Sequence, residues 1–275
     1  MKIRNILILI MVILLFVPIL SHSQELKGFV DLQTSRYGFK NASGKIIVPA
    51  KYNYISDFHN GLAIVSLDKK TGCIDKTGKE VIPLEYNSLL GDFFDDVVIY
   101  LLDNKYGILH KSGKRITSPV YEYATHFAEG LAVVKKSKDG NVLFIDKKGD
   151  VVLETSYTQA KSFSEGMVAV SATTNSLGIG KWGFIDKQGK EIIPPKYERV
   201  ESFSDGLAAV SVSDYFTDDW SGSRKWGFID KEGKVVIPLQ FENGMFGPEF
   251  RKGKAKVKLK NREFYIDKTG KEVKE

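Results

Sequence analysis

The acidic residues that recur along the chain are the first candidates for chemistry. Each of five aspartates is followed by Lys-x-Gly: Asp75, Asp146, Asp186, Asp230 and Asp267. Repeated carboxylates could serve acid–base catalysis or bind calcium, but a calcium loop needs several carboxylates on alternating positions, and here lysine directly follows each aspartate. Asn41 and His110 stand at the same place in two further copies, where they keep the hydrogen bonding but not the charge. The pattern predicts residues that open Asx-type turns.

Residues for metal binding or nucleophilic catalysis are sparse. Beyond residue 23 the histidines are His59, His110 and His126, which are far apart and form no two-histidine metal spacing. Cys73 is the single cysteine, so no internal disulfide forms. It stands where related segments of the chain have Phe184 and Phe228, which predicts a small buried side chain. With no convergent polar cluster, the sequence predicts no catalytic residue, no metal, no cofactor and no enzymatic activity.

One polar segment, residues 213–224, has an unusual composition for an exposed loop. It reads SDYFTDDWSGSR and contains three aromatic residues and three aspartates. Exposed large aromatic residues often serve recognition, so the loop is a candidate ligand-binding site. The candidate residues are Tyr215, Phe216, Asp218, Asp219 and Trp220. The alternative is a variable loop whose aromatic side chains fold back onto the scaffold.

The N-terminus has the three-part layout of a secretory signal peptide. Lys2 and Arg4 precede an apolar run, Ile6–Leu20, and the small residues of Ser21–Ser23 precede a cleavage site before Gln24. Fifteen apolar residues are few for a membrane-spanning helix, which needs about 20. We therefore predict a signal peptide over residues 1–23, with an uncleaved anchor as the alternative.

Export restricts the classes of partner that the remaining chain, residues 24–275, can meet. Removal of the signal peptide lowers the net charge from +6 to +4, because Lys2 and Arg4 are lost. We expect a periplasmic, cell-surface or secreted protein with no stable membrane span, and no nucleic acid as a partner. Since Cys73 lies deep in the chain, a lipoprotein anchor is not expected.

Almost all of the exported chain consists of tandem copies of one short sequence unit. The clearest copy, KWGFIDKQGKEIIPPKYERVESFSDGLAAV, starts at Lys181. Its turn glycine recurs at intervals of 34, 35, 36, 40, 44 and 37 residues, within the range of repeat arrays and propellers. These glycines are Gly44, Gly78, Gly113, Gly149, Gly189, Gly233 and Gly270.

The local chemistry of the unit predicts three β-strands. The Leu-Ala-x-Val run predicts a strand C, the Trp-Gly-Phe run a strand A, and the x-Val-Ile run a strand B that ends at a proline such as Pro238. The Asp-Lys-x-Gly sequence between A and B is typical of a hairpin. No window beyond the N-terminal segment has a helical period.

The position at which each repeat begins predicts the architecture. Cutting before strand C leaves whole units at both ends, from Gly28 to Val273. We therefore predict an all-β protein, a tandem array of seven three-stranded antiparallel units, in a propeller-like ring or an open curved β-solenoid. The A–B turns, rich in lysine, should lie on one edge and the variable C–A loops on the other. The lysines could meet anionic ligands, or simply protect strand edges.

The quoted motif resembles that of the bacterial WG-repeat family, over essentially the whole exported chain. It is complete from Lys181 and from Lys225, and it has decayed at Val142-Leu143 and between Gly91 and Leu102. The resemblance implies a β-rich repeat scaffold common in exported bacterial proteins, with no shared catalytic residue. It specifies the architecture better than the activity.

Three functions fit this pattern. The first is an exported, non-catalytic scaffold that binds a protein or glycan of the cell envelope through the loop edge. The second is an envelope hydrolase that uses the acidic residues of the long loop, which would require two cooperating carboxylates across a groove. The third is a structural spacer without a specific ligand.

Overall fold

The computed structural model describes residues 25–172, 180–212, 225–244 and 246–275. Over these ranges the protein contains 26 β-strands in seven antiparallel sheets and no helix. In the described part of the chain, no helix is long and apolar enough to cross a membrane. The predicted all-β class and the number of units are confirmed.

Each sheet is one unit, and we number the units 1 to 7 in chain order. Unit 1 consists of β1 (Lys27–Asp31), β2 (Arg36–Lys40) and β3 (Ile46–Tyr52). Unit 2 consists of β4 (Tyr54–Ile55), β5 (Leu62–Leu67), β6 (Lys70–Asp75) and β7 (Glu80–Tyr86). Unit 3 consists of β8 (Ser88–Phe94), β9 (Val97–Leu102) and β10 (Lys105–His110).

The remaining units have four strands each. Unit 4 consists of β11 (Tyr123–Ala124), β12 (Ala132–Lys135), β13 (Leu143–Ile145) and β14 (Val151–Glu154). Unit 5 consists of β15 (Gln159–Ala160), β16 (Met167–Ser171), β17 (Trp182–Asp186) and β18 (Glu191–Tyr197). Unit 6 consists of β19 (Arg199–Val200), β20 (Ala208–Val212), β21 (Lys225–Ile229) and β22 (Val235–Phe241). Unit 7 consists of β23 (Phe250–Arg251), β24 (Lys254–Leu259), β25 (Arg262–Asp267) and β26 (Glu272–Val273).

In every unit except unit 3 the C, A and B strands form the predicted meander, and most sheets add a short strand ahead of C. In unit 6, for example, Arg199 and Val200 pair with Ser211 and Val210 of the C strand. The three-stranded unit predicted from the sequence does not include this extra strand. Pairing it with C satisfies backbone groups that would otherwise lie unpaired at the edge of the sheet.

In unit 3, β8 precedes C (β9) and A (β10), and in place of strand B the described chain has only isolated bridges, from Leu109 to Arg115 and from Tyr106 to Tyr121.

In units 1, 2, 5 and 6 the proline does not end strand B, contrary to the sequence-based expectation. In unit 6, β22 continues past Pro238 to Phe241, and the pairing register with β21 shifts on either side of Phe228. The proline lies in this bulge, where the ladder requires no backbone donor. The strand therefore bends at the proline and then pairs again.

Six hydrophobic clusters join the seven sheets in series, one cluster between each pair of consecutive units. Alternate residues of one strand enter different clusters. Ala208 and Val210 pack towards unit 5, whereas Leu207 and Ala209 pack towards unit 7. Both faces of an inner sheet are thus buried, which explains why its C strand is apolar throughout.

The two end sheets depart from this pattern. In the described residues no hydrophobic cluster joins unit 7 to unit 1. The turn glycine of unit 7, Gly270, lies so close to unit 6 that an added methyl group would be 3.3 Å from Ile237 Cγ2, but nothing lies within 4 Å of the same position at Gly44 in unit 1. The sequence predicted either a propeller-like ring or an open curved array, and these contacts are those of the open array.

Candidate functional site

The repeated turn carboxylates are structural. Asp186 Oδ1 accepts hydrogen bonds from the backbone N–H groups of Gln188 and Lys190, both at 2.9 Å. Asn41 Oδ1 accepts one from the Lys45 N–H at 2.9 Å, and His110 Nδ1 lies 3.1 Å from the Ser112 nitrogen. The predicted Asx-type role is therefore confirmed for the aspartate and for both of its replacements.

Lysines of the A–B turns contact the preceding unit. Lys187 Nζ lies 3.0 Å from Glu129 Oε2 and donates to the Glu129 carbonyl at 3.1 Å. The same carboxylate accepts from the Gly166 N–H, at 3.1 and 3.2 Å from its two oxygens. Burial raises the pKa of Glu129, but the hydrogen bonds from Lys187 and from the Gly166 N–H outweigh it and hold the pKa below its ordinary value.

The arrangement around Glu129 recurs one unit further along. Glu165 accepts from the Gly206 N–H at 3.0 and 3.2 Å, and Lys231 Nζ donates to the Glu165 carbonyl at 2.8 Å. A carboxylate of one unit thus binds the backbone and the turn lysine of the unit that follows it. These lysines tie units together as well as lining an edge.

Several predicted features lie outside the described residues. The candidate loop with Tyr215, Phe216, Asp218, Asp219 and Trp220 is among them, as is the signal segment over residues 1–23. In the ranges that the structure describes, no group of three or more His, Cys, Asp or Glu side chains could hold a metal ion. Cys73 is fully buried, and burial raises the pKa of its thiol to about 12, which removes it as a nucleophile at neutral pH.

A cleft of about 540 Å³ lies between units 4 and 5, at the edge where the C–A loops emerge. Tyr123, 43% exposed, and the half-buried Trp182 contribute aromatic surface to its lining. The remaining lining residues combine short apolar and polar side chains with two lysines. They are Glu122, Lys135, Lys138, Val142, Thr158, Gln159 and Ala160. A smaller side space of about 290 Å³ shares part of this lining and adds Asp139.

The short first strands position the cleft. Tyr123 of β11 pairs with Lys135 of β12, and Gln159 of β15 pairs with Ser171 of β16. Lys135 spans the boundary between the two units, because its Nζ donates to the Thr158 carbonyl at 3.1 Å. The strand pairing and this lysine fix both walls of the cleft.

One carboxylate of the cleft, that of Glu122, is paired with a neighbouring lysine. Glu122 Oε1 lies 2.7 Å from Lys105 Nζ, and this hydrogen bond, with the charge of the lysine, holds the pKa of Glu122 below its ordinary value. Burial raises the pKa of the Tyr123 phenol, and the nearby Tyr106 adds to the effect. At neutral pH the cleft therefore presents an ionised, paired carboxylate and a neutral phenol.

The cleft lies beside the decayed Trp-Gly pair of unit 4. Val142 occupies the position held by Trp182 in unit 5 and by Trp226 in unit 6. Valine fills much less volume than an indole, so space remains beside it. Trp226, in contrast, is fully buried, and its Nε1–H donates to the Gly244 carbonyl at 3.1 Å. The sequence signal for the cleft was thus the departure from the repeat at Val142, and sequence reasoning missed it.

Comparison with solved structures finds β-rich proteins of low similarity. Kluyveromyces lactis Hsv2 has a TM-score of 0.46 at 11% identity, with 76% of this chain and 71% of that chain covered. The β-propeller domain of the Trilobed protease from Pyrococcus furiosus has a TM-score of 0.41 at 12% identity, with 90% of each chain covered. At these values the likenesses carry no argument about function. No curated protein sequence matches the chain.

The family model for the WG containing repeat matches six stretches, which together cover more than half of the chain. They are residues 37–70, 72–106, 106–138, 144–171, 182–216 and 226–262. Each stretch begins at or beside the A strand of one unit and runs into the next unit, as expected for seven units cut before strand C. The chain belongs to the family of proteins built from WG-containing repeats.

Proposed function

We propose that this protein is an exported, non-catalytic scaffold that binds a glycan of the cell envelope in the cleft between units 4 and 5. The observation that carries the proposal is the pairing of two accessible aromatic side chains, Tyr123 and Trp182, with polar groups around a concave space of about 540 Å³. Cavities of this size are typical of small-ligand sites. The signal-peptide pattern supports export.

The chemistry of the lining suits a sugar better than a charged ligand. A sugar ring has apolar C–H faces and peripheral hydroxyl groups, so it needs both aromatic surface and hydrogen-bonding partners. Lys135 is engaged with the Thr158 carbonyl, and Glu122 with Lys105. The aromatic surface and the hydrogen-bonding groups of the lining favour a neutral saccharide segment.

The carboxylates of the cleft support binding without catalysis. Among the described lining residues they are Glu122 and Asp139. A glycosidase needs one carboxyl group whose pKa is raised, so that it can protonate the leaving group. The hydrogen bond from Lys105 moves the pKa of Glu122 the other way. This residue is therefore ionised at neutral pH and cannot act as that acid.

The test compares Tyr123→Ala with Tyr54→Ala on insoluble envelope polysaccharide. Tyr54 is a matched control, because it starts the short strand of unit 2 as Tyr123 starts that of unit 4, and it is 55% exposed. We expect Tyr123→Ala to weaken retention at least about tenfold, equivalent to about 1.4 kcal/mol, and Tyr54→Ala to leave it unchanged. Equal retention of both variants would disprove glycan binding in the cleft. Release of new reducing ends would instead reveal a hydrolase.

The long loop enters the proposal as a second contact surface. In the sequence, Tyr215 and Trp220 stand between strands C and A of unit 6 and would offer further aromatic groups. Deletion of Asp214–Gly222 should reduce retention on envelope material while leaving the thermal midpoint within a few degrees, because surface loops contribute little to stability. If the deletion changes neither the retention of the protein on envelope material nor the phenotype of the cells that produce it, the loop is not a binding site. That result would support a spacer function.

A further inference from the structure

The positive charge of this protein is concentrated in its last unit. Residues 249–275 contain ten Lys or Arg and five Asp or Glu, a net charge of +5, while the whole chain carries +6. All earlier residues together therefore carry only +1. A charge this uneven creates a local positive potential that attracts anions.

The lysines of β24 lie on one face of the sheet. Ala255 and Val257 point into the cluster shared with unit 6, so the alternating residues Lys254 and Lys256 lie on the opposite, outer face. Tyr265 of β25 is directly opposite Lys256 in the pairing register and shares that outer face. The outer face of unit 7 thus combines cations with an aromatic ring.

A groove of about 640 Å³ runs along this face. Its cations come from β23 with its turn and from β24, and its floor includes Tyr265. The lining residues are Gly247, Glu249, Arg251, Lys252, Lys254, Lys256 and Tyr265. Glu249 is ion-paired with Arg251 at 3.0 Å, and Lys256 with Glu263 at 2.6 Å. In the described chain no carboxylate pairs with Lys252 or Lys254. Lys254 Nζ donates to the Lys274 carbonyl at 2.9 Å, a bond that leaves its charge uncompensated.

A second copy of the protein does not suit this face. The sheet face left free at the other end belongs to unit 1 and includes Lys27, Phe29 and Lys40, with Lys40 Nζ 5.9 Å from the Phe29 ring centre. Stacking the end of one copy on the start of another would bring lysines together. An anionic partner instead complements the groove.

We propose that the groove on the outer face of unit 7 binds a linear polysaccharide carrying carboxylate groups. Lys252 and Lys254 bind the carboxylates, and the Tyr265 ring packs against a sugar face. The concave shape fits a single extended chain. The site is separate from the cleft between units 4 and 5, which suits a neutral segment, so either one can exist without the other.

The experiment measures binding of the full exported chain to polygalacturonate by calorimetry. The variant is Lys252→Gln with Lys254→Gln, and the control is Lys45→Gln with Lys79→Gln, which removes the same charge from exposed turn positions of units 1 and 2. We expect the first pair to weaken binding at least tenfold and the control pair to have little effect. Binding should also weaken as salt rises, because exposed charges are screened.

Three results would overturn the proposal. They are an equal loss in both variants, the absence of binding by the unsubstituted protein, and binding to vesicles of anionic phospholipid with none to polygalacturonate. Tyr123→Ala is measured in parallel and should bind polygalacturonate normally. A failure of that variant on neutral glycan therefore remains distinct from a failure of the groove.

Discussion

At the scale of single residues, the glycine of the Trp-Gly pair is required by a close approach of two backbones. A methyl group at Gly227 would lie 2.6 Å from the Ile237 carbonyl oxygen and 2.7 Å from the Leu239 nitrogen. The same holds at Gly183, where the Ile193 oxygen would be 2.3 Å away. These carbonyls belong to the bulge of strand B, which cannot move without breaking its ladder. The glycine and the proline of the motif therefore serve one feature.

Gly227→Ala should lower the free energy of unfolding by about 2–3 kcal/mol, in the upper range for overpacking a core. Gly28→Ala is the control, because a methyl group there would meet only the end of the flexible Ile55 side chain, 2.8 Å away. It should cost less than about 1 kcal/mol. Urea unfolding followed by tryptophan fluorescence measures both. Equal costs would mean that the close backbone approach does not constrain Gly227.

The sequence could predict the residues whose role is local and not those whose role depends on another strand. The turn aspartates were predictable, because their hydrogen bonds close within four residues. The sequence predicts the glycine of Trp-Gly only as part of strand A, since its close partner lies ten or more residues further along the chain. The register shift that brings the two together follows from tertiary packing.

Glu129 predicts a dependence of stability on pH. Its pKa in the folded protein lies below the ordinary 4.5, because the Lys187 and Gly166 hydrogen bonds outweigh the effect of burial. The resulting stabilisation is complete above the ordinary pKa and is lost as the pH falls through the lowered value.

The variant Glu129→Gln should therefore lose less stability than the unsubstituted protein between about pH 6 and about pH 3. Urea midpoints measured across this range give the comparison, with Glu232→Gln, an exposed turn residue, as control. If Glu129→Gln shows the full acid loss, the contacts of Glu129 with unit 5 do not contribute.

At the scale of elements, the units differ most where the motif has decayed. The meander and the count of seven followed from periodicity, which needs only the alternation of side chains. The short first strands and the cleft did not, because both depend on how consecutive sheets stack. Tyr123 and Trp182 are 59 positions apart in sequence and line one space only because units 4 and 5 are neighbours.

Restoring the motif in unit 4 should close the cleft. Val142→Trp places an indole where units 5 and 6 have one, and it should reduce glycan retention at least about tenfold. Val142→Ile enlarges the side chain only slightly and should retain binding. Retention on envelope polysaccharide and the thermal midpoint are measured together. Normal retention by a folded Val142→Trp protein would show that the ligand does not occupy this space.

At the scale of the whole molecule, the ends of the array are made polar by substitution at packing positions. In unit 7 three packing positions are occupied by lysine: Lys254, Lys256 and Lys274. In unit 6 the residues at these positions pack against the sheet that follows. The corresponding residues there are Leu207, Ala209 and Ile237. An open array needs such a polar outer face, because an apolar one would associate with other copies. The lysines of unit 7 therefore oppose association of its outer face with another copy.

The outer face of unit 7 can be made apolar by giving it the corresponding residues of unit 6. The triple substitution Lys254→Leu, Lys256→Ala and Lys274→Ile creates an apolar end face, which two copies can bury against each other. We expect the mean mass in light scattering to rise with concentration more steeply than for the unsubstituted chain. Lys254→Gln with Lys256→Gln, which removes charge without adding apolar surface, should not show this rise. If the triple variant behaves like that control, the lysines are not what keeps the end face free. The groove, with its separate test on polygalacturonate, would then be the remaining role for Lys254.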